Sequence, residues 1–144
     1  MIPEQPVIGW FDINAVDRDN ILYHLAATPS QEAWLAQKLA EAQHTLSTAK
    51  RRYKEVFGEL FMECKSKPYI KTTSKGNIEA DASDAVATHL VNLNPRYHKV
   101  SELLDQAQHD VDLYKGYVRC FETKKTFMAS LAGIKRTEMQ QKYN

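Results

Sequence analysis

The most constraining feature of this sequence is an apolar ladder that does not miss a step. From Leu35 through Leu39, Ala42, Leu46, Ala49, Tyr53 and Val56 to Leu60, the apolar positions alternate spacings of four and three. That is the a/d seam of a heptad, and a strand, whose side chains alternate every second residue, has no use for it. The ladder returns at Tyr97, Val100, Leu104, Ala107, Val111, Tyr114, Val118 and Phe121, and resumes at Met128 and Ala132. Two such helices bury their seams most simply against each other, so the spacing predicts an all-α fold built on a long antiparallel helical hairpin, coiled-coil-like in its packing.

The helix breakers divide this plan. Five Pro and five Gly occur in 144 residues, with the prolines near the start and in Thr28-Pro29, Lys67-Pro68 and Asn94-Pro95. The reading is one helical domain, 1–144. It comprises an arm over 1–14 with Trp10 and Phe11 among its docking residues, a short helix over 15–27, and a long helix over 29–66. A polar mobile loop over 67–77, a second short helix over 78–93 and a long helix over 95–141 follow. Thr28, Pro29 and Gln31 form a T-x-x-Q capping box at the start of the first long helix, and Asn94 suits the cap of the last. At 1.5 Å per residue the two rods span roughly 55 and 65 Å.

The last helix carries a second apolar line beside the first, through Leu113, Tyr117, Cys120, Phe127, Leu131 and Ile134, with Lys124 filling the missing step. The two lines together make an apolar arc of about 160°. One partner helix covers only a narrow seam, so this half needs a second neighbour, either the short helices or another subunit, and a homo-oligomer is the expectation.

Several function classes lose ground on composition. Cys64 and Cys120 have no CxxC spacing, and His24, His44, His89, His98 and His109 never fall into H-x-x-x-H or H-E-x-x-H, so no metal site or disulfide framework is expected. No G-x-S-x-G or glycine-rich phosphate loop is present, and a two-rod fold offers little concave pocket for catalysis, so the chain reads as a non-enzyme without a cofactor. No apolar run is long enough for a bilayer, and Met1-Ile2-Pro3-Glu4 lacks the order of a signal peptide. The expectation is a protein with no membrane partner, in the cytoplasm.

Net charge is only +1, but it is unevenly spread: −4 over 1–45, +5 over 46–75, −4 over 76–115 and +4 over 116–144. Two readings stand side by side. An acidic start and a basic end on each helix suit the macrodipole, at about 0.3–1 kcal/mol per well-placed charge, and in an antiparallel pair each basic half faces an acidic one. The other reading is a ligand surface. Lys50, Arg51, Arg52, Tyr53 and Lys54, followed by Phe57, Lys65, Lys67, Tyr69, Lys71 and Lys75, interleave cations for phosphates with rings on which unstacked bases lie. A second basic patch, Arg119, Lys124, Lys125, Lys135 and Arg136, surrounds Phe121 and Phe127. Lys125 falls on the seam, where it either snorkels, pairs with an acid, or lines the channel of an oligomer.

The order of arm, long helix, basic-aromatic segment, polar loop, short helix and long last helix resembles the UvsY-type recombination mediators of T-even-like phages. The likeness is most pointed at Ala49-Lys50-Arg51-Arg52-Tyr53-Lys54, similar to that family's basic segment near the end of its long helix. Ala80-Asp81 and the run from Val111 to Arg136 stand where the family has its oligomerising helix. The family's Gly-rich turn directly after the basic segment is missing here. The resemblance implies DNA contacts by Lys50, Arg52 and Tyr53, a ring-like oligomer on single-stranded DNA, and the loading of a recombinase onto strands coated by single-strand binding protein. The alternative from the seams alone is an oligomeric coiled-coil adaptor that binds no nucleic acid.

Overall fold

The computed structural model describes residues 10–143. The expected arm therefore lies outside the described residues over 1–9, as does Asn144. Three helices carry most of the chain: α1 (Ile21–Ser66), α2 (Asp84–Asn92) and α3 (Pro95–Lys142). Strands β1 (Tyr69–Thr73) and β2 (Gly76–Ala80) form an antiparallel two-stranded sheet between α1 and α2. Contacts gather into two compact units, Met1–Ala42 with Asp110–Asn144, and Gln43–His109.

In the first unit the start of α1 runs antiparallel to the end of α3, with Ile21 packed on Met128 and Trp34 and Leu35 on Phe121. Trp10 meets the edge of Trp34 at 5.6 Å between centroids, and Phe11 stacks on Tyr117 at 4.9 Å. A 3-10 turn at Ile13–Ala15, capped by Asp12, leads to Val16, which is buried against Met128. The N-terminal segment thus supplies the second neighbour that the wide apolar arc of α3 requires. Burying each large apolar side chain here is worth about 1.5–3 kcal/mol.

In the second unit Val56 and Leu60 of α1 pack against Val91 of α2 and Val100 of α3, ringed by Tyr53, Phe57, Phe61, Cys64 and Tyr97. The ladders point inward in both units. Leu35, Ala42, Leu46, Val56 and Leu60 are buried on α1, and Val100, Ala107, Val111, Phe121 and Met128 on α3.

Three expectations need correction. The short helix over 15–27 and the break at Thr28-Pro29 do not exist: α1 runs through Pro29. It starts at Ile21, directly after Asn20, whose Oδ1 accepts from the Asp17 N–H while its Nδ2 donates to the Ala15 carbonyl. The Thr28 hydroxyl donates to the His24 carbonyl within the helix instead of capping. Proline removes one backbone bond, but Ile21 upstream and Leu35 downstream bury one helix face against α3, which holds the segment helical.

The second correction is that the fold is not purely helical, because the loop expected over 67–77 is mostly a β-hairpin. Ile70, Thr72 and Thr73 are β-branched, Ser74-Lys75 makes a two-residue connection, and Gly76 adopts φ 111° in the left-handed region. Thr73 Oγ1 donates to the Gly76 carbonyl at 2.8 Å and closes the turn. The third is the length of the second short helix. It starts at Asp84 rather than 78, because Ser83 is its N-cap and Gly76–Ala80 is committed to the hairpin.

Candidate nucleic-acid interface

The basic block on α1 lies wholly in the second unit. At about 100° per residue, its four cations divide between two flanks of the helix. Arg51 and Arg52 share their flank with Glu55 and Glu59. Arg51 lies 3.9 Å from Glu55, and Arg52 lies 3.6 Å from Glu55 and 3.8 Å from Glu59. Lys50 and Lys54 fall on the other flank, in a stripe that continues through Phe57, Phe61 and Lys65.

The macrodipole does not account for this placement. Its effect fades within the last turn of a helix, and α1 ends at Ser66, three turns beyond Lys54. Of the basic block only Lys65 sits in that last turn, and it also pairs with Asp84 at 2.9 Å. Lys50, Lys54, Lys67, Lys71 and Lys75 are exposed and have no carboxylate within 4.0 Å among the described residues. Lys71 stands opposite Ile78 on the hairpin, and Lys75 occupies its turn.

The rings are arranged differently from the sequence reading. Tyr53 is a seam residue whose hydroxyl shares a hydrogen bond with that of Tyr97, and Phe57 stacks on Phe61 at 6.0 Å. Tyr53 is therefore a half-buried seam residue and not a freely exposed ring. The Tyr97 hydroxyl and partial burial hold the Tyr53 phenol above its usual pKa.

Arg96 and Lys99 join this surface although the sequence reading left them out, because they lie in the net-acidic segment 76–115. Arg96 meets Glu59 at 2.7 Å and Glu63 at 3.8 Å. With Arg52, Lys99, Val100 and Leu103 it lines a groove of about 340 Å³. A second groove of about 460 Å³, lined by His44, Thr45, Thr48 and Ala49, shares Arg52, Val100 and Leu103.

No known protein family, characterised protein or solved structure matches the chain.

The second basic patch belongs to the first unit and is largely spent there. Lys124 is only 1% exposed, so it is removed from any surface patch. Burial lowers its ammonium below the usual lysine range, and the charge of Asp12 opposes that shift in part. Lys125 pairs with Glu32 across the seam and with Glu122 at 3.5 Å, and Glu32 holds its pKa up. That is the pairing alternative for a seam lysine. Lys135 Nζ donates to the Arg18 carbonyl at 3.0 Å, and Arg119 and Arg136 stay exposed.

Of the residues expected at an oligomer interface, Tyr117 is covered by Phe11, and Phe127 and Leu131 by the cluster of Val16, Ile21 and Met128. Leu113, Cys120 and Ile134 remain exposed. Among the described residues no three His, Cys, Asp or Glu side chains gather as a metal site requires, and no helix is long and apolar enough to cross a membrane.

Proposed function

We propose that this chain binds single-stranded DNA along its phosphate backbone through Lys50, Lys54, Lys67, Lys71 and Lys75 of the second unit. The observation that carries the reading is their lack of carboxylate partners, in contrast to Arg51, Arg52 and Lys65 of the same block. An exposed arginine facing a glutamate gains little stability from the pair, but the carboxylate also cancels the field that a phosphate would feel. The five lysines keep theirs. Through its resemblance to the phage mediators the proposal extends to a homo-oligomer that helps to load a recombinase onto strands coated by single-strand binding protein.

Fluorescence anisotropy with a labelled oligothymidine tests it. Five phosphate contacts give a slope of log K against log salt near −3.5, at about −0.7 per contact on a single strand. Changing Lys50, Lys54, Lys71 and Lys75 to Ala is expected to abolish most of the binding, and Arg51→Ala with Arg52→Ala to change it little. Unaltered binding by the lysine variant, with helicity retained, sinks the assignment.

A second reading, an adaptor without nucleic-acid affinity, is favoured by the strip of Leu113, Cys120 and Ile134 left open on α3. It expects a concentration-dependent mass in light scattering and no oligonucleotide binding at about 0.15 M salt.

A further inference from the structure

Four of the five Phe and Tyr rings in the second unit, Tyr53, Phe57, Phe61 and Tyr97, pack against its core. The fifth, Tyr69, belongs to no ring pair and no core cluster among the described residues. It opens β1 at the foot of the hairpin, half-buried, and lines a cleft of about 260 Å³ with Glu63, Cys64, Lys67, Pro68 and Leu90. Resting on the phosphate-binding reading above, we infer that this cleft is a nucleobase site, in which an unstacked base lies on the face of Tyr69.

The chemistry of the walls fits such a ligand. Cys64, Pro68 and Leu90 supply an apolar lining, and the Glu63 carboxylate is an acceptor for an N–H on the edge of a base, such as the ring N–H of thymine. The volume falls just below the roughly 300–1,000 Å³ typical of drug-sized ligands, which suits a single base. Phosphate partners flank the ring along the chain. Lys67 lines the same cleft, and Lys71, two residues beyond Tyr69, projects from the same face of β1. A backbone held at both lysines places one base between them. Bases in a duplex are stacked and withheld, so the site also supplies a preference for single strands, which lysines alone do not.

Anisotropy titrations with an oligothymidine and with an abasic strand of equal length test the site, using wild type, Tyr69→Ala, Tyr69→Phe and the four-lysine variant. Circular dichroism confirms helicity in each. Tyr69→Ala is expected to weaken oligothymidine binding about 5- to 100-fold with an unchanged salt slope, in keeping with base–aromatic stacking. Tyr69→Phe should retain binding, and the abasic strand should bind wild type and Tyr69→Ala alike. An equal loss of Tyr69→Ala on both strands overturns the base site, since the ring would then only position the lysines. No loss with Tyr69→Ala, while the lysine variant fails, overturns the base site and leaves phosphate binding standing. If neither variant changes affinity, the phosphate reading falls and the base site falls with it.

Discussion

Tyr53 and Tyr97 share a hydroxyl–hydroxyl hydrogen bond between α1 and α3, with ring centroids 5.3 Å apart. This contact takes the aromatic side chain of the basic block into the seam and leaves its lysines outside. Tyr53→Phe removes the bond and is expected to cost about 0.5–1.5 kcal/mol. The phenol is held above its ordinary pKa of 10.0, so the unfolded chain loses that proton first. Its contribution is therefore complete below pH 10 and is lost as pH rises through the folded value. Urea melts between pH 8 and 11 should show a steeper alkaline loss for wild type than for Tyr53→Phe.

Glu59 holds two guanidinium groups at once, Arg52 at 3.8 Å and Arg96 at 2.7 Å. Glu59→Gln takes one carboxylate from each, leaving Arg52 with Glu55 at 3.6 Å and Arg96 with Glu63 at 3.8 Å and so weakening their neutralisation. The stability cost is about 0–1 kcal/mol, because the pairs are exposed. Oligothymidine affinity is expected to rise and the salt slope to steepen by up to about 1.4, two contacts at about 0.7 each. An affinity that does not move would show that this flank of α1 lies away from the strand.

Lys124 titrates with the opposite sign to Tyr53. Burial lowers its folded pKa below 10.5, so between the two values the unfolded chain binds the extra proton. Stability consequently rises with pH across that window, and is lost as pH falls through the folded value. Lys124→Met keeps the length of the side chain without the charge and should flatten this part of the profile, read as Tm against pH. A profile identical to wild type would mean that the ammonium keeps its hydration in the folded state.

Pro29 is the ninth residue of α1, and the proline nitrogen cannot donate to the Leu25 carbonyl. Pro29→Ala restores that bond and is expected to stabilise the chain by about 1–3 kcal/mol, seen as a higher midpoint in urea with an unchanged slope. A loss of stability would mean that the ring fills a contact that alanine leaves empty.

The long helices and their inward faces were legible in the sequence, because the three-four ladder from Leu35 to Leu60 and from Tyr97 to Ala132 allows one period only. The hairpin was not, since Tyr69–Thr73 and Gly76–Ala80 bury little and show no clean alternation; their signal lay in β-branched Ile70, Thr72 and Thr73 before a turn and a glycine. Pro29 misled for the opposite reason. A local rule ends helices at X-Pro, and the apolar face that overrides it becomes visible only when α3 is in place.

By itself the sequence determined that cations crowd Lys50 to Lys75 and that aromatic residues stand among them. Only the tertiary structure decided which are free. A side chain's partner is set by helix phase, which stands Glu55 and Glu59 beside Arg51 and Arg52 once α1 has formed, and by the groups that tertiary folding brings near: Asp84 for Lys65 and Tyr97 for Tyr53. Charge density is a local property of the chain, whereas charge neutralisation is pairwise and falls off with distance, so it depends on contacts that composition does not record.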